Sequence, residues 1–224
     1  SIYYSKRYQT EDRHMDPKFW LDKWSSNQIG FHENKVHNLL MAYWHSLRGE
    51  ANDKVFVPLC GKSLDLLWLR ERHNSVVGVE LSEIAAISFF EEQGLNFTKT
   101  ERGEYSIFSN DGIQILCGDI FKIPSSQFGI FDLVYDRASL VALSPSDRLQ
   151  YQKLLDNITR KKSRILLITV DYDPKLISPP PHILSDINLQ KIYASNWKIT
   201  SIDSQEADIK GTTGQENCYR IEKK

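Results

Sequence analysis

The sequence predicts an α/β protein built on a doubly wound, mostly parallel sheet, and three observations carry that expectation. Nearly all-apolar stretches such as "SVVGVE" (75–80) and "FDLVYD" (131–136) have the composition of strands covered on both faces, as inside a parallel sheet. Segments with helical spacing of apolar residues run between them, and strands alternating with helices imply parallel pairing through right-handed crossovers. The first strand, Val55 to Val57, breaks abruptly into the small-residue loop "PLCGKS" (58–63) ahead of a helix. In such folds the ligand sits beyond the carboxyl ends of the strands.

The elements follow in order. From Asn34 onward Val36, Leu39, Leu40, Tyr43, Trp44 and Leu47 recur on one helical face, with Gly49 expected to end the helix. A helix is expected from about Leu64 to Glu71, and another begins at Ser82 and Glu83 and runs to a C-terminal glycine cap at Gly94. "EYSIFS" and "IQILCGD" read as a hairpin around Asn110-Asp111-Gly112, or as a strand preceded by an excursion. Ser144 caps a helix with Pro145 in its first turn, running to about Thr159, and "RILLITV" (164–170) is the next strand. "ISPPPH" (177–182) must be extended. A helix near 184–193 and strands near 197–203 and 217–221 finish the chain, which shows no repeat and no low-complexity tract.

Composition bounds the function. A chain of 224 residues with 41% apolar and 25% charged residues is expected to fold as one domain, 1–224, with an N-terminal lid and helix (15–48) ahead of the sheet core (54–224). A net charge of -1 argues against a sequence-independent grip on nucleic acid. Cys60, Cys117 and Cys218 have neither disulfide-framework nor zinc-ligand spacing, so no metal is expected and a reducing cytoplasm is the simplest location. No apolar run approaches a membrane span and the polar start is not a signal peptide. Residues 1–14 are given no fold reading. A monomer acting on a small molecule, without nucleic-acid or membrane partners, is expected.

Gly61-Lys62-Ser63 is the ending of a nucleotide triphosphate-binding loop, but the rest of that pattern is missing. Its first glycine falls on Phe56, and Pro58 has no N–H to offer a phosphate. Glu80 closes the second strand about 20 residues beyond the loop, the spacing of an acid that takes ribose hydroxyls, and Asp119 follows the next sheet strand. A nucleoside-containing cofactor is therefore expected. NAD needs a glycine-rich cradle for its pyrophosphate, whereas this loop has one glycine; S-adenosyl-L-methionine carries no phosphate, and its cations suit acidic surroundings. The methyl donor is favoured.

Four blocks, "FWLDKWSSNQIGFHENKVHNLL", "VFVPLCGKSLDLLWL", "SVVGVELSE" and "FDLVYDRASLVALSPSDRLQY", resemble those of the thiopurine S-methyltransferase family in the same order. The similarity runs from about Phe19 to Pro181 and includes "DYDP" (171–174). The resemblance implies a seven-stranded, Rossmann-like class I methyltransferase sheet with an N-terminal helical lid, using S-adenosyl-L-methionine and releasing S-adenosyl-L-homocysteine. It further implies that Trp20 and Trp24 lie over the cofactor and that Phe31 faces the substrate. Leu59 and Gly61 would line the methionine end, Glu80 would hold the ribose, and Asp119 and Ile120 would flank the adenine. Arg137 would stand between cofactor and substrate as the catalytic residue.

The acceptor implied is an aromatic or heterocyclic thiol, with selenium or tellurium species, other small thiols, or a non-catalytic cofactor-binding module as alternatives. A thiol that ionises readily needs alignment and water exclusion more than a dedicated base, and Arg137 would stabilise the thiolate. Asp136 is a weaker candidate base and Asp132 is expected to serve structure. Two departures from the family pattern concern the substrate side: His182 follows the proline run, and "QEADIKGTTGQ" (205–215) offers Lys210 where a second arginine is expected. Glu80 itself, as a carboxylate at a strand's exit, is expected to matter little for folding.

Overall fold

The computed structural model describes residues 16–137, 139–193 and 195–224. Nine strands form one sheet: β1 Lys54–Val57, β2 Ser75–Glu80, β3 Thr98–Arg102, β4 Tyr105–Asn110, β5 Ile113–Cys117, β6 Phe131–Asp136, β7 Thr159–Asp171, β8 Trp197–Ile209 and β9 Thr212–Lys223. Their order is β3-β4-β5-β2-β1-β6-β7-β9-β8. The central five, from β5 to β7, pair in parallel, and antiparallel hairpins complete both flanks. The expected count of seven is thus corrected to nine. The two beyond that count are β3 and β4 on the β5 edge: β4 forms with β5 the hairpin expected around Asn110-Asp111-Gly112, and the outer strand β3, "TKTER", is exposed along its whole length.

Six α-helices accompany the sheet: α1 Pro17–Ser25, α2 Asn38–Tyr43, α3 Asp65–Arg70, α4 Glu83–Glu92, α5 Pro145–Ile158 and α6 Asp186–Tyr193. Strand side chains alternate between two buried clusters. Phe56, Val134, Ile165 and Leu167 face Tyr151, Leu155 and Tyr193 of α5 and α6. Val55, Val57, Leu133, Leu166 and Ile168 face Leu40, Leu47, Leu66 and Phe89 on the other side. This is the two-fold periodicity of a sheet covered on both faces.

Local chemistry accounts for most helix ends. The Ser82 hydroxyl accepts from the Ala85 N–H at the start of α4, and Gly94 takes a left-handed φ of 64° just past its end. Ser144 caps α5 through the Asp147 N–H, with Pro145 at its first position. The α2 region differs from expectation. Its helix turns into a tighter 3-10 segment at Trp44–Leu47 and stops at Arg48, which itself adopts the left-handed conformation (φ 53°) in place of Gly49.

β1 lies where the winding reverses, with β2 on one side and β6 on the other. The loop after β1 and the last residues of β2, β5 and β6 therefore meet at one edge. Gly78 is what lets that loop sit down on β2. A Cβ there would lie 2.6 Å from the Cys60 Sγ. Gly78→Ala should overpack the contact and destabilise by about 1–3 kcal/mol. Thermal melting checks this, and an unchanged Tm would mean that Cys60 turns away freely.

Candidate active site

The loop between β1 and α3 is shaped by two left-handed residues, Leu59 (φ 47°) and Gly61 (φ 55°). Left-handed backbone is costly for leucine, and such strain gathers at functional sites. The Cys60 N–H bonds the Val79 carbonyl at 3.0 Å, which extends the β1–β2 pairing into the loop. Glu80 then fixes the loop from below. It is 6% exposed, one carboxylate oxygen accepts from the Gly61 N–H at 2.8 Å, and the other accepts from the Ser82 N–H at 2.9 Å. Burial raises its pKa, while those N–H groups work the other way.

Asp119 leaves β5 next to Glu80, since the Gly118 N–H bonds the Glu80 carbonyl at 2.9 Å. Its Oδ1 accepts from the Phe121 N–H at 2.9 Å, which shapes the turn that buries Ile120. The aromatic lid closes over the loop. Trp24 is buried, and its indole lies so close to Gly61 that a Cβ there would be 3.2 Å away. Phe31 makes edge-on contacts with Trp20 and Trp24, with ring centroids 5.4 and 5.5 Å apart, and is itself exposed. Leu59, Gly61, Glu80, Asp119, Ile120, Trp20, Trp24 and Phe31 thus belong to one end of the sheet and the lid above it.

Arg137 follows the last residue of β6. Its guanidinium pairs with Glu33 of the lid at 3.4 Å. Burial opposes its charge, but Tyr135, Glu33, Asp65 and Glu216 around it prevail, and its pKa is raised above the usual arginine value. Two of these carboxylates, Asp65 and Glu216, are already organised by other partners. Asp65 accepts from the His37 N–H at 2.9 Å and the Tyr135 hydroxyl at 2.7 Å, and His37 Nε2 meets Glu216 at 2.9 Å. His37 Nδ1 accepts from the Leu39 N–H, which leaves Nε2 as the donor to Glu216. These four residues tie α2, α3, β6 and β9 together around the arginine.

Sequence reasoning missed this group because its members lie 28, 70 and 179 residues apart. Glu33 had a signal in principle, as a charge beside an aromatic lid. Asp136 is fully buried and engaged: it accepts from the Ser139 and Leu140 N–H groups and, at 2.6 Å, from the Tyr151 hydroxyl. Asp132 lies at the opposite end of β6, where it accepts from the Lys54 N–H and pairs with Arg160.

The substrate-side departures share one wall. The His182 N–H bonds the Val141 carbonyl at 2.6 Å, and burial together with Arg148 lowers the imidazole pKa to about 4. Lys210 turns the β8–β9 hairpin (φ 51°) and donates to the Ser178 carbonyl at 3.1 Å. A cleft of about 360 Å³, lined by Asp171, Tyr172, Thr213, Gly214 and Gln215, opens beside this wall. Another of about 320 Å³ borders Ile120 and Phe121. Neither is lined by Glu80. No helix among the described residues is long and apolar enough to cross a membrane.

A buried acid at a strand's end, a strained loop without a phosphate cradle and an indole lid fit a nucleoside bearing a cationic tail. Comparison with known proteins agrees. The family profile described as Thiopurine S-methyltransferase (TPMT) matches residues 15–224. The chain is 40% identical over 217 residues to the thiopurine S-methyltransferase of Pseudomonas fluorescens strain Pf0-1, covering 92% of this chain and 99% of that one. It is 44% identical over 194 residues to the enzyme of that name from Vibrio parahaemolyticus, covering 86% and 88%. Its fold is similar to the crystal structure of a SAM-dependent methyltransferase from Anabaena variabilis ATCC 29413, with a TM-score of 0.67 at 13% identity over 96% and 98% of the two chains. The chain belongs to the thiopurine S-methyltransferase family and is an S-adenosylmethionine-dependent methyltransferase.

Proposed function

We propose that the chain transfers the methyl group of S-adenosylmethionine to the sulfur of aromatic or heterocyclic thiols. The observation that carries this reading is Arg137, a mostly buried cation at the end of β6 that pairs with the lid just beyond Phe31. A fixed positive charge beside an aromatic wall suits an acceptor that is flat and becomes anionic at its reacting atom. The names of the relatives, which specify thiopurines, support the same class.

When bound, S-adenosylmethionine supplies an electrophilic methyl group on a sulfonium. Glu80 would take the ribose hydroxyls, Leu59 and Gly61 would line the methionine end, and Asp119 and Ile120 would flank the adenine. Trp20 and Trp24 would cover the cofactor and exclude water. Phe31 would lie against the acceptor ring. Arg137 would hold the thiolate, and no imidazole or carboxylate from the end of β6 takes part, because Asp136 is engaged by Ser139, Leu140 and Tyr151.

Incubation with methyl-labelled cofactor and a panel of thiopurines, thiophenols and selenium and tellurium oxyanions tests the reading. Transfer to the aromatic thiols is expected. Transfer only to the oxyanions, or to none of the panel, would overturn it.

A further inference from the structure

A thiol must lose a proton before its sulfur attacks, and Arg137 has no hydrogen-bond acceptor's role in that loss. The groups around it differ in how free they are. Asp65 is held by the His37 N–H and the Tyr135 hydroxyl, and Glu216 by His37 Nε2. His32 lies near Lys62 and Arg137, and burial and then Lys62 lower its pKa, which makes it a poor proton acceptor. Tyr135 is buried and donates to Asp65. Glu33 is different. Among the described residues Arg137 is its one ion-pair partner, at 3.4 Å, and its side chain is 37% exposed against 21% for the arginine.

We propose that Glu33 is the proton acceptor for the thiol, its carboxylate taking the sulfur's proton as Arg137 exchanges Glu33 for the thiolate. The proposal rests on the thiol reading above. The S–H bond breaks with its electron pair left on sulfur, and the proton forms an O–H bond on Glu33. Arg137 cannot neutralise two anions at once. A thiolate arriving beside an ionised Glu33 would be repelled by it, whereas internal transfer leaves the net charge of the site unchanged. A carboxylate that loses its cation to a new anion also holds a proton more readily. Glu33 stands two residues beyond Phe31, so lid closure brings the acceptor ring and the base together. Its partial exposure gives the proton a route to water after turnover.

The test uses the full chain saturated with S-adenosylhomocysteine and thiophenol as the probe, at a pH below the thiol's own pKa. Ultraviolet absorbance reports thiolate formed on binding, and calorimetry in two buffers of different ionisation enthalpy reports protons released. The wild-type chain should show the thiolate band with no net proton release. Glu33→Gln should either lose the band or release about one proton for each thiolate formed. A band in the wild-type chain accompanied by proton release, no band despite bound thiol, or a Glu33→Gln chain that matches the wild type in both readouts would each overturn the proposal. The wild-type outcomes stand even if the variant fails to fold. Failure of the thiol reading looks different: thiophenol does not bind the complex at all and accepts no methyl group, which removes both.

Discussion

Replacing Arg137 by alanine is expected to lower turnover with an aromatic thiol by about two to three orders of magnitude, while S-adenosylhomocysteine affinity changes by less than about tenfold. The asymmetry follows from where its charge is needed. In the free enzyme the guanidinium already has carboxylates around it, so its removal costs little binding energy toward a neutral adenosine. Negative charge develops at the acceptor sulfur only as the thiol ionises, and there the loss is felt in full. Glu33, Asp65 and Glu216 would remain behind without their shared cation, so the anion would also meet unopposed negative charge. Arg137→Lys separates charge from geometry, since an ammonium keeps the positive charge but lacks the planar fork of donors. Steady-state kinetics with calorimetric titration of S-adenosylhomocysteine checks both numbers. Equal losses in affinity and turnover would make Arg137 a cofactor contact alone.

How far such residues can be found without a structure depends on what kind of contact defines them. β2 and β6 were legible to the residue, Ser75–Glu80 and Phe131–Asp136, because burial on both faces leaves an uninterrupted apolar run with clear polar borders. β3 was not, because "TKTER" is an exposed edge strand with no apolar alternation to betray it. β8 and β9 extend to Ile209 and from Thr212, well past the expected 203 and 217, since each half of a long hairpin supplies the other's backbone partners whatever its side chains. The left turn at Arg48 was missed for a related reason. Gly49 advertises that conformation, yet a Cβ on Gly49 would meet the Leu133 side chain, so that glycine answers a packing need while the arginine turns the chain.

The site divides along the same line. Residues attached to a local signal, such as Gly61 in its loop or Glu80 at a strand's end, were legible as candidates. Their partners were not. That the Glu80 carboxylate is the acceptor for the Gly61 N–H, and that Asp65, Tyr135, His37 and Glu216 form one chain of hydrogen bonds, follows from strands and helices brought together in space. Periodicity carries no trace of such pairings, that of the lid's Glu33 with Arg137 among them.

Glu80 shows the consequence most directly, because its structural role revises the expectation that it contributes little to folding. Glu80→Ala removes the acceptor of the Gly61 N–H and of the Ser82 N–H, and Ser82 is 1% exposed. A buried donor left without a partner costs about 1–3 kcal/mol. Water entering beside Gly61 would offset part of that, so a net loss of about 2 kcal/mol is expected, or roughly 4–8 °C in Tm for a chain of this size. Cofactor affinity should fall separately, by about 1.5–3 kcal/mol or at least tenfold, as two charge-assisted hydrogen bonds to the ribose are lost. Glu80→Gln distinguishes the two roles. Its amide oxygen still serves one of the N–H groups while its NH2 faces the other, so stability should lie between wild type and alanine, and the charge the ribose needs is absent in both variants. Melting with and without S-adenosylhomocysteine gives the intrinsic loss and the ligand-induced rise in one experiment. A rise in Glu80→Ala equal to that of the wild type would assign the carboxylate to the loop alone, and the ribose hydroxyls would then have to be met from the neighbouring exit of β5, where Asp119 keeps one carboxylate oxygen outside its own turn.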